Sequence, residues 1–433
     1  MIATLLNILL FCIAISSYAT KKYVASVVIL AFFATNAFIL NFGDPFLKYI
    51  DLGLLEIIFC TFIGFYRYKK FFSTSTFPGR LFMFFLVFLL IIFLYSLIIH
   101  ADTFSNITSV LRPYFYIFSY FVLRVIPKEK LEKSVRIIFK ITIFACICFI
   151  LQYITHLELV NTYIAEGSQT YRMQITPPFI ALFTLALLLF GNKVRWRYWC
   201  LFALFVVFVI AQNRTPIVSM ALQVLVYLVF TKNTKHKFAV LLILFIVFPF
   251  ISTMFNQRAE NDNSDVLNSL GNIESNISSS DYASLSSGST FLFRIAMIAE
   301  RLNYLNEHPT KSLLGIGAMH EMSSNNKFNF LVGTSYISKD GSIEKAQIQS
   351  VDSLWPSVIL RFGYVGVTVF LLYLILSARY FFKKRQNSIA FLGFLLFLAD
   401  IVGSLSSGGA LSCVSILTHS LLFVFVEKNI KII

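Results

Sequence analysis

Thirteen apolar runs follow one another along the chain, near residues 2–18, 23–40, 47–66, 81–99, 113–126, 137–155, 177–190, 198–212, 216–230, 238–253, 353–376, 388–403 and 410–426. No water-soluble core can bury that many. A helix that crosses a ~30 Å hydrocarbon layer needs about 20 apolar residues. Several runs are shorter, so their ends are expected to extend into the flanking polar residues. The run at 113–126 is the weakest of these and reads as a span, a re-entrant segment or an interfacial one. The first run has few leading charges and no small-residue cleavage site, so it reads as a retained span. With 58% hydrophobic and only 13% charged residues, a soluble enzyme and a disordered chain are both excluded. A transporter, a channel or a membrane-embedded enzyme remains. The expected fold is all-α: a polytopic membrane protein with about 12–14 transmembrane helices.

The net charge of +15 would suit nucleic acid if the basic residues were gathered on one face. They are distributed by side of the membrane instead. Of 36 Lys and Arg, 24 fall on alternate connections of a thirteen-span chain, from Lys21 and Lys22 to Lys428 and Lys431. Basic residues concentrate on the cytoplasmic side, so the C-terminus is expected in the cytoplasm and the N-terminus outside. The partner of this charge is the anionic inner leaflet of the bilayer, not nucleic acid.

Residues 254–352 break the pattern. This segment holds 11 of the 21 acids and seven basic residues, a balance of −4. The chain is therefore expected to divide into N-terminal membrane helices (1–253), a large outer loop (254–352) and C-terminal membrane helices (353–433). Residues 262–290 are rich in Ser and Asn and read as mobile. Beyond them Phe291, Ile295, Ile298, Leu302 and Leu305 recur at helical spacing and predict one apolar face. Arg294 and Arg301, seven apart, point in similar directions on that helix. His308-Pro309 should close it, and the glycine-rich LLGIG turn follows at 313–317.

The outer side is poor in cations. Its short loops hold only Lys48, Arg112, Arg172 and Arg214. Arg214 lies where one span ends and the next begins, and Arg361 lies about two turns inside the span after the long loop. A charge at that depth costs ~2.5–3.5 kcal/mol on insertion scales, so it faces a cavity or a partner. A guanidinium fork matches phosphate oxygens. A lipid diphosphate at the outer surface could thus be clamped by Arg172, Arg214 and Arg294. Each arginine could equally cap a helix or pair with an acid.

Other chemistry is weakly supported. His308 and His320 have no recognised metal-ligand spacing, and no phosphate-binding glycine loop with its lysine occurs. All six cysteines fall in apolar runs, where small buried side chains are expected rather than disulfides. Glu56, Asp400 and His419 fit a proton path or isolated polar contacts between helices. Neither metal nor cofactor is expected.

Three segments resemble the O-antigen polymerase and O-antigen ligase superfamily of bacterial envelope glycosyltransferases. They are the Arg214-Thr215 pair at an outer span start, the Arg294-led helix with His308-Pro309 and Gly315 and Gly317, and the block DSLWPSVILRFGYVG with Asp352, Gly363 and Gly366. The resemblance covers roughly residues 170–370. It implies a plan like that of GT-C-type membrane glycosyltransferases, in the bacterial inner membrane with the site facing the periplasm. A polymerase of this kind transfers a glycan from undecaprenyl diphosphate to a new lipid-linked repeat unit, and a chain-length regulator is a possible partner. By the resemblance, Arg172, Arg214 and Arg294 hold donor and acceptor diphosphates, with Arg301, His308 and Arg361 alongside. Ligases carry His where this chain has Asp352. Asp352 could orient or deprotonate the acceptor hydroxyl, or merely cap the helix after it. Gly363 and Gly366 read as sites of close packing. A ligase acting on lipid A core and a flippase of polysaccharide units are the alternatives.

Overall fold

The computed structural model describes residues 2–35, 49–99, 103–160, 177–190, 194–211, 214–230, 290–323, 325–337, 343–350 and 353–430. The apolar run at 238–253 and the Ser/Asn-rich stretch lie outside these, as do Arg172 and Asp352.

The chain is a polytopic bundle of helices. The first ones are α1 (Ile2–Ala19), α2 (Tyr23–Thr35), α3 (Tyr49–Arg67) and α4 (Phe77–Ile98). After a broken segment come α7 (Lys128–Thr155), α8 (Ile180–Phe190), α9 (Arg197–Ala211) and α10 (Arg214–Phe230). Three more follow the outer loop: α13 (Trp355–Lys383), α14 (Ser388–Gly403) and α15 (Cys413–Lys428). Four of these, α3, α4, α7 and α13, are long and apolar enough to cross a membrane, and several shorter apolar helices accompany them. Only helices satisfy every backbone group within one segment in lipid, which is why the apolar runs take this form. Large side chains such as Phe62, Phe65 and Ile98 remain exposed on what is then a lipid-facing surface.

The centre of the bundle is α15. Every residue from Ile416 to Val426 is buried. Against it packs the segment that sequence made the least certain. It consists of α5 (Phe104–Phe115), a 3₁₀ turn at Tyr116–Phe118 and α6 (Ser119–Arg124). Tyr116, Ile117, Tyr120 and Phe121 are fully buried, so this is a core element and not an interfacial one. Pro113 lacks an N–H and interrupts the α-helical pattern, which accounts for the break near it. Arg112 on the same segment pairs with Asp51 at 2.7 Å.

The segment between α10 and α13 contributes α11 (Thr290–Glu307), a single turn α12 (Pro309–Ser312) and a hairpin. Strands β1 (Ser335–Ile337) and β2 (Ile343–Lys345) are antiparallel, with Tyr336 opposite Glu344. Helix α11 ends at Glu307, just before His308-Pro309 as expected. Its buried face differs from the expected one. Leu292, Ala296, Met297, Glu300, Arg301 and Leu305 are the buried residues, while Ile295, Ile298 and Leu302 are only partly covered. The helix lies between two layers. Ile298, Leu302 and Leu305 join the membrane core, and Ala296 and Met297 pack under Val332 of the loop.

Candidate functional site

The site begins with a break in a membrane helix. Within α13, Gly363 has φ 60° and ψ −162°, a conformation open to glycine and costly for other residues. Breaking a helix frees backbone groups, and in or near lipid they need partners. The LLGIG turn supplies them. Ile316 N–H donates to Leu360 O at 2.9 Å, and Val365 N–H donates to Leu313 O at 3.1 Å. The approach is so close that a Cβ on Gly363 would lie 2.5 Å from Leu313 O, and one on Gly315 would lie 2.5 Å from the Arg361 carbonyl. Gly363 therefore allows backbone-to-backbone packing, in line with the close-packing expectation. Helix α4 fastens the other side of the turn: Tyr95 Oη donates to Gly315 O at 3.2 Å and Ala318 N–H to Ser96 Oγ at 2.7 Å.

Two carboxylates then shape the loop above this turn. Glu300 accepts the Leu331 and Val332 N–H groups at 2.6 and 3.2 Å. Glu321 accepts those of Gln347, Ile348 and Gln349 at 2.6, 2.8 and 2.8 Å. Arg301 lies between these strands of contact, 2% exposed. It donates to Glu300 at 2.6 Å, to Val332 O at 2.6 Å and to Gln347 O at 3.2 Å, and its guanidinium lies 4.2 Å from the Phe330 ring centre. Burial pulls its pKa down to about 10, while Glu300 and Glu321 pull it back up, so it is charged at neutral pH. Arg301, expected to bind substrate, is buried here and spends at least three hydrogen bonds on the protein itself.

Beside this frame lies an open cavity of about 600 Å³ walled by Ile99 at the end of α4, Tyr304 of α11, Lys311, Lys327, Phe328 and Phe330. Lys311 Nζ donates to Tyr304 Oη at 2.7 Å. Tyr304 stands edge-on to Phe328, with ring centres 5.4 Å apart, and Phe328 stacks on Phe330 at 5.5 Å. His308 closes the back of Tyr304. Its ring stacks on the tyrosine at 4.2 Å, and its Nδ1 lies 2.8 Å from Tyr304 O. His308 is thus a support for the wall. Arg361 is buried in the first turns of α13, and its Nε donates at 3.1 Å to the carbonyl of Met319, itself a lining residue. The expected partner of this intramembrane cation is thus a backbone carbonyl beside the cavity.

The first two turns of α13 also face a second feature. Ser404, just past α14, accepts Leu354 N–H at 3.1 Å through its carbonyl and Trp355 Nε1–H at 3.0 Å through its hydroxyl. Helix α10 runs antiparallel to α14: Gln223 Nε2 donates to Leu395 O at 3.2 Å, and Tyr227 meets Phe391. Continuing that register by nine residues on each side sets position 214 level with Ser404. The start of α10, the end of α14 and the start of α13 therefore lie at one end of the bundle. Helix α13 begins at Trp355 with Leu354 at its cap position, two residues later than the start at Ser353 that would make Asp352 the cap.

Of the candidates, Arg301, His308 and Arg361 adjoin the frame of the cavity, and the side chain of Arg214 lies outside the described residues. Arg294 is half-buried, two turns before Arg301 on α11. Lys311, Lys327, Tyr304 and Glu321 form or frame the cavity, and none was singled out as a binding residue from sequence. Deeper in the bundle the intramembrane polar groups are linked: Tyr373 Oη lies 3.2 Å from His419 Nδ1, and His419 Nε2 lies 2.7 Å from Asp400 Oδ2. Glu56 is held separately by Ser26 Oγ at 2.9 Å. Among the described residues no group of His, Cys, Asp and Glu could hold a metal ion.

No curated protein matches the chain. The model of the O-antigen ligase family matches residues 199–371, the stretch that holds Arg214, α11, the LLGIG turn and the broken start of α13, and it bears out the resemblance to the O-antigen polymerase and ligase superfamily on the residues that carry it.

Proposed function

We propose that the protein polymerises lipid-linked oligosaccharide repeat units into O-antigen or a related surface polysaccharide. The family match supports a membrane glycosyltransferase of the polymerase or ligase type. The polymerase reading goes further, and one observation carries it: a cavity of glycan size, bearing two lysines and aromatic rings, built from the motif-bearing turn and opening beside the end of a membrane helix. Such a cavity suits a bulky sugar chain tethered to a lipid in the adjoining bilayer.

In this reading the donor and acceptor are both glycans on undecaprenyl diphosphate in the inner membrane, and the site faces the periplasm. The acceptor hydroxyl attacks the anomeric carbon of the donor chain. A glycosidic bond forms, the bond from that carbon to the diphosphate oxygen breaks, and the electron pair leaves with the diphosphate. Arg172, Arg214 and Arg294 neutralise the charge that develops there. The proton released from the hydroxyl goes to Asp352. That residue stands where ligases carry His, which favours the polymerase over the ligase. Loop 254–352 serves as the glycan-handling part between two sets of membrane helices, and a chain-length regulator is its natural partner.

Deletion in the host followed by gel separation of surface polysaccharide tests this. Loss of a polymerase leaves single repeats on lipid A core, and loss of a ligase leaves nothing attached. Arg214→Ala should abolish the ladder, and Arg214→Lys should keep part of it. A full ladder in the deletion strain would reject both enzyme readings, and a full ladder with Arg214→Ala would remove Arg214 from the diphosphate site.

A further inference from the structure

Among the described residues the lining of the cavity carries Lys311 and Lys327 and no carboxylate, and Glu321 of the surrounding frame is engaged by the N–H groups of Gln347, Ile348 and Gln349. We propose that it is a subsite for an acidic sugar of the repeat unit. The sugar's carboxylate lies between the two lysines, and the apolar face of its ring rests on Phe328. This deepens the glycan-polymerase reading and rests on it.

Charge makes the first argument. Closing a ligand over two ammonium groups strips them of water, a cost that an anion offsets and a neutral sugar does not. Position makes the second. Lys311 is held by Tyr304 Oη at 2.7 Å, which fixes its direction before any ligand arrives. Lys327 is exposed and lines the same cavity, so its ammonium is open to a ligand there.

The platform is also set in advance. Phe328 is braced by Tyr304 at 90° and by Phe330 at 14°, and Phe330 in turn carries the buried Arg301 guanidinium. A ring pinned in this way loses little freedom on binding. Exposed amides at Asn325 and Asn329, also in the lining, offer donors and acceptors to ring hydroxyls. A bare diphosphate fits less well. It has no apolar face to set on an aromatic ring, and a cavity of about 600 Å³ is far larger than it fills.

The test uses the full-length protein in phosphatidylcholine nanodiscs and isothermal titration calorimetry. The probes are hyaluronan tetrasaccharide, in which alternate sugars carry a carboxylate, chitin tetrasaccharide as a neutral chain of equal length, and inorganic pyrophosphate. Hyaluronan tetrasaccharide should bind saturably and at least about tenfold more tightly than the chitin chain. Lys311→Ala and Lys327→Gln should each weaken it about tenfold, the loss of one charge-assisted contact, and leave the chitin chain unchanged. Lys327 is exposed, so its variant should keep the parent's unfolding midpoint even if Lys311→Ala does not fold. Equal affinity for the two oligosaccharides, no effect of Lys327→Gln, or no hyaluronan binding at millimolar concentration would overturn the proposal. Displacement of hyaluronan by pyrophosphate at lower concentration would also overturn it and assign the cavity to a diphosphate. None of these outcomes bears on the polysaccharide ladder, which judges the polymerase reading by itself.

Discussion

A buried arginine persists only where its donors all find acceptors, and Arg301 shows what this achieves. Its guanidinium ties Glu300 to the carbonyls of Val332 and Gln347, 31 and 46 residues away in sequence. Removing it leaves a buried carboxylate without its cation, a change that costs ~3–5 kcal/mol in comparable pairs. Arg301→Ala should therefore lower the thermal unfolding midpoint of the purified protein and open residues 290–350 to protease. Arg301→Lys, which keeps the charge without the planar fork, should fall between. A protease pattern like that of the parent in Arg301→Ala would show that the carboxylate frame holds without it. The sequence offers Arg301 as an outer-side cation in register with Arg294, which is why it reads as a ligand. What it conceals is that the adjacent Glu300 turns this charge inward, toward the carbonyls of Val332 and Gln347 that only the folded loop brings near.

At the scale of elements, the informative one is α13. Apart from Arg361 its hydrophobic pattern runs on from Trp355 into the bilayer, so sequence predicts a single span and assigns Gly363 and Gly366 to close packing. Close packing is correct, but its form is a break that admits a second chain segment to the helix backbone. Periodicity sees side chains and is blind to such an exchange of backbone partners. Gly363→Ala adds a Cβ 2.5 Å from Leu313 O, at a φ of 60°. This positive-φ, extended conformation is essentially restricted to glycine and costs other residues on the order of 1–3 kcal/mol, and the overlap adds to it. The variant should insert in the membrane yet lose transferase activity, with faster amide hydrogen exchange at Ile316 and Val365. Unchanged exchange at these two amides would mean that the turn does not depend on the glycine. The broken segment at 104–124 teaches the same lesson: its apolar core is legible, but its place at the centre of the bundle depends on which other helices surround it.

For the molecule as a whole, the spacing of apolar runs predicts most of the helices to within a few residues, because lipid leaves the backbone so few choices. The distribution of lysine and arginine predicts their orientation, and that prediction is open to direct test. Alkaline phosphatase fused after Lys327 should be active, and fused after Arg385 inactive. The reverse pattern would put the cavity on the cytoplasmic side, away from any lipid-linked glycan on the outer leaflet. The candidate site was far less legible than the fold. Its cavity is assembled from the tip of α4, one face of α11 and the stretch 311–330, and no local pattern announces that these meet.

The glycine turn and the kinked helix complete each other's hydrogen bonding, and this limits how such proteins can be recombined. Exchanging the segment that bears this turn for that of a relative would strand the Leu360 carbonyl and the Val365 N–H of the recipient's helix unless the residues around the kink travelled with it. Glycan specificity should therefore be transferable only as a matched cassette of turn and helix start, never as the loop alone.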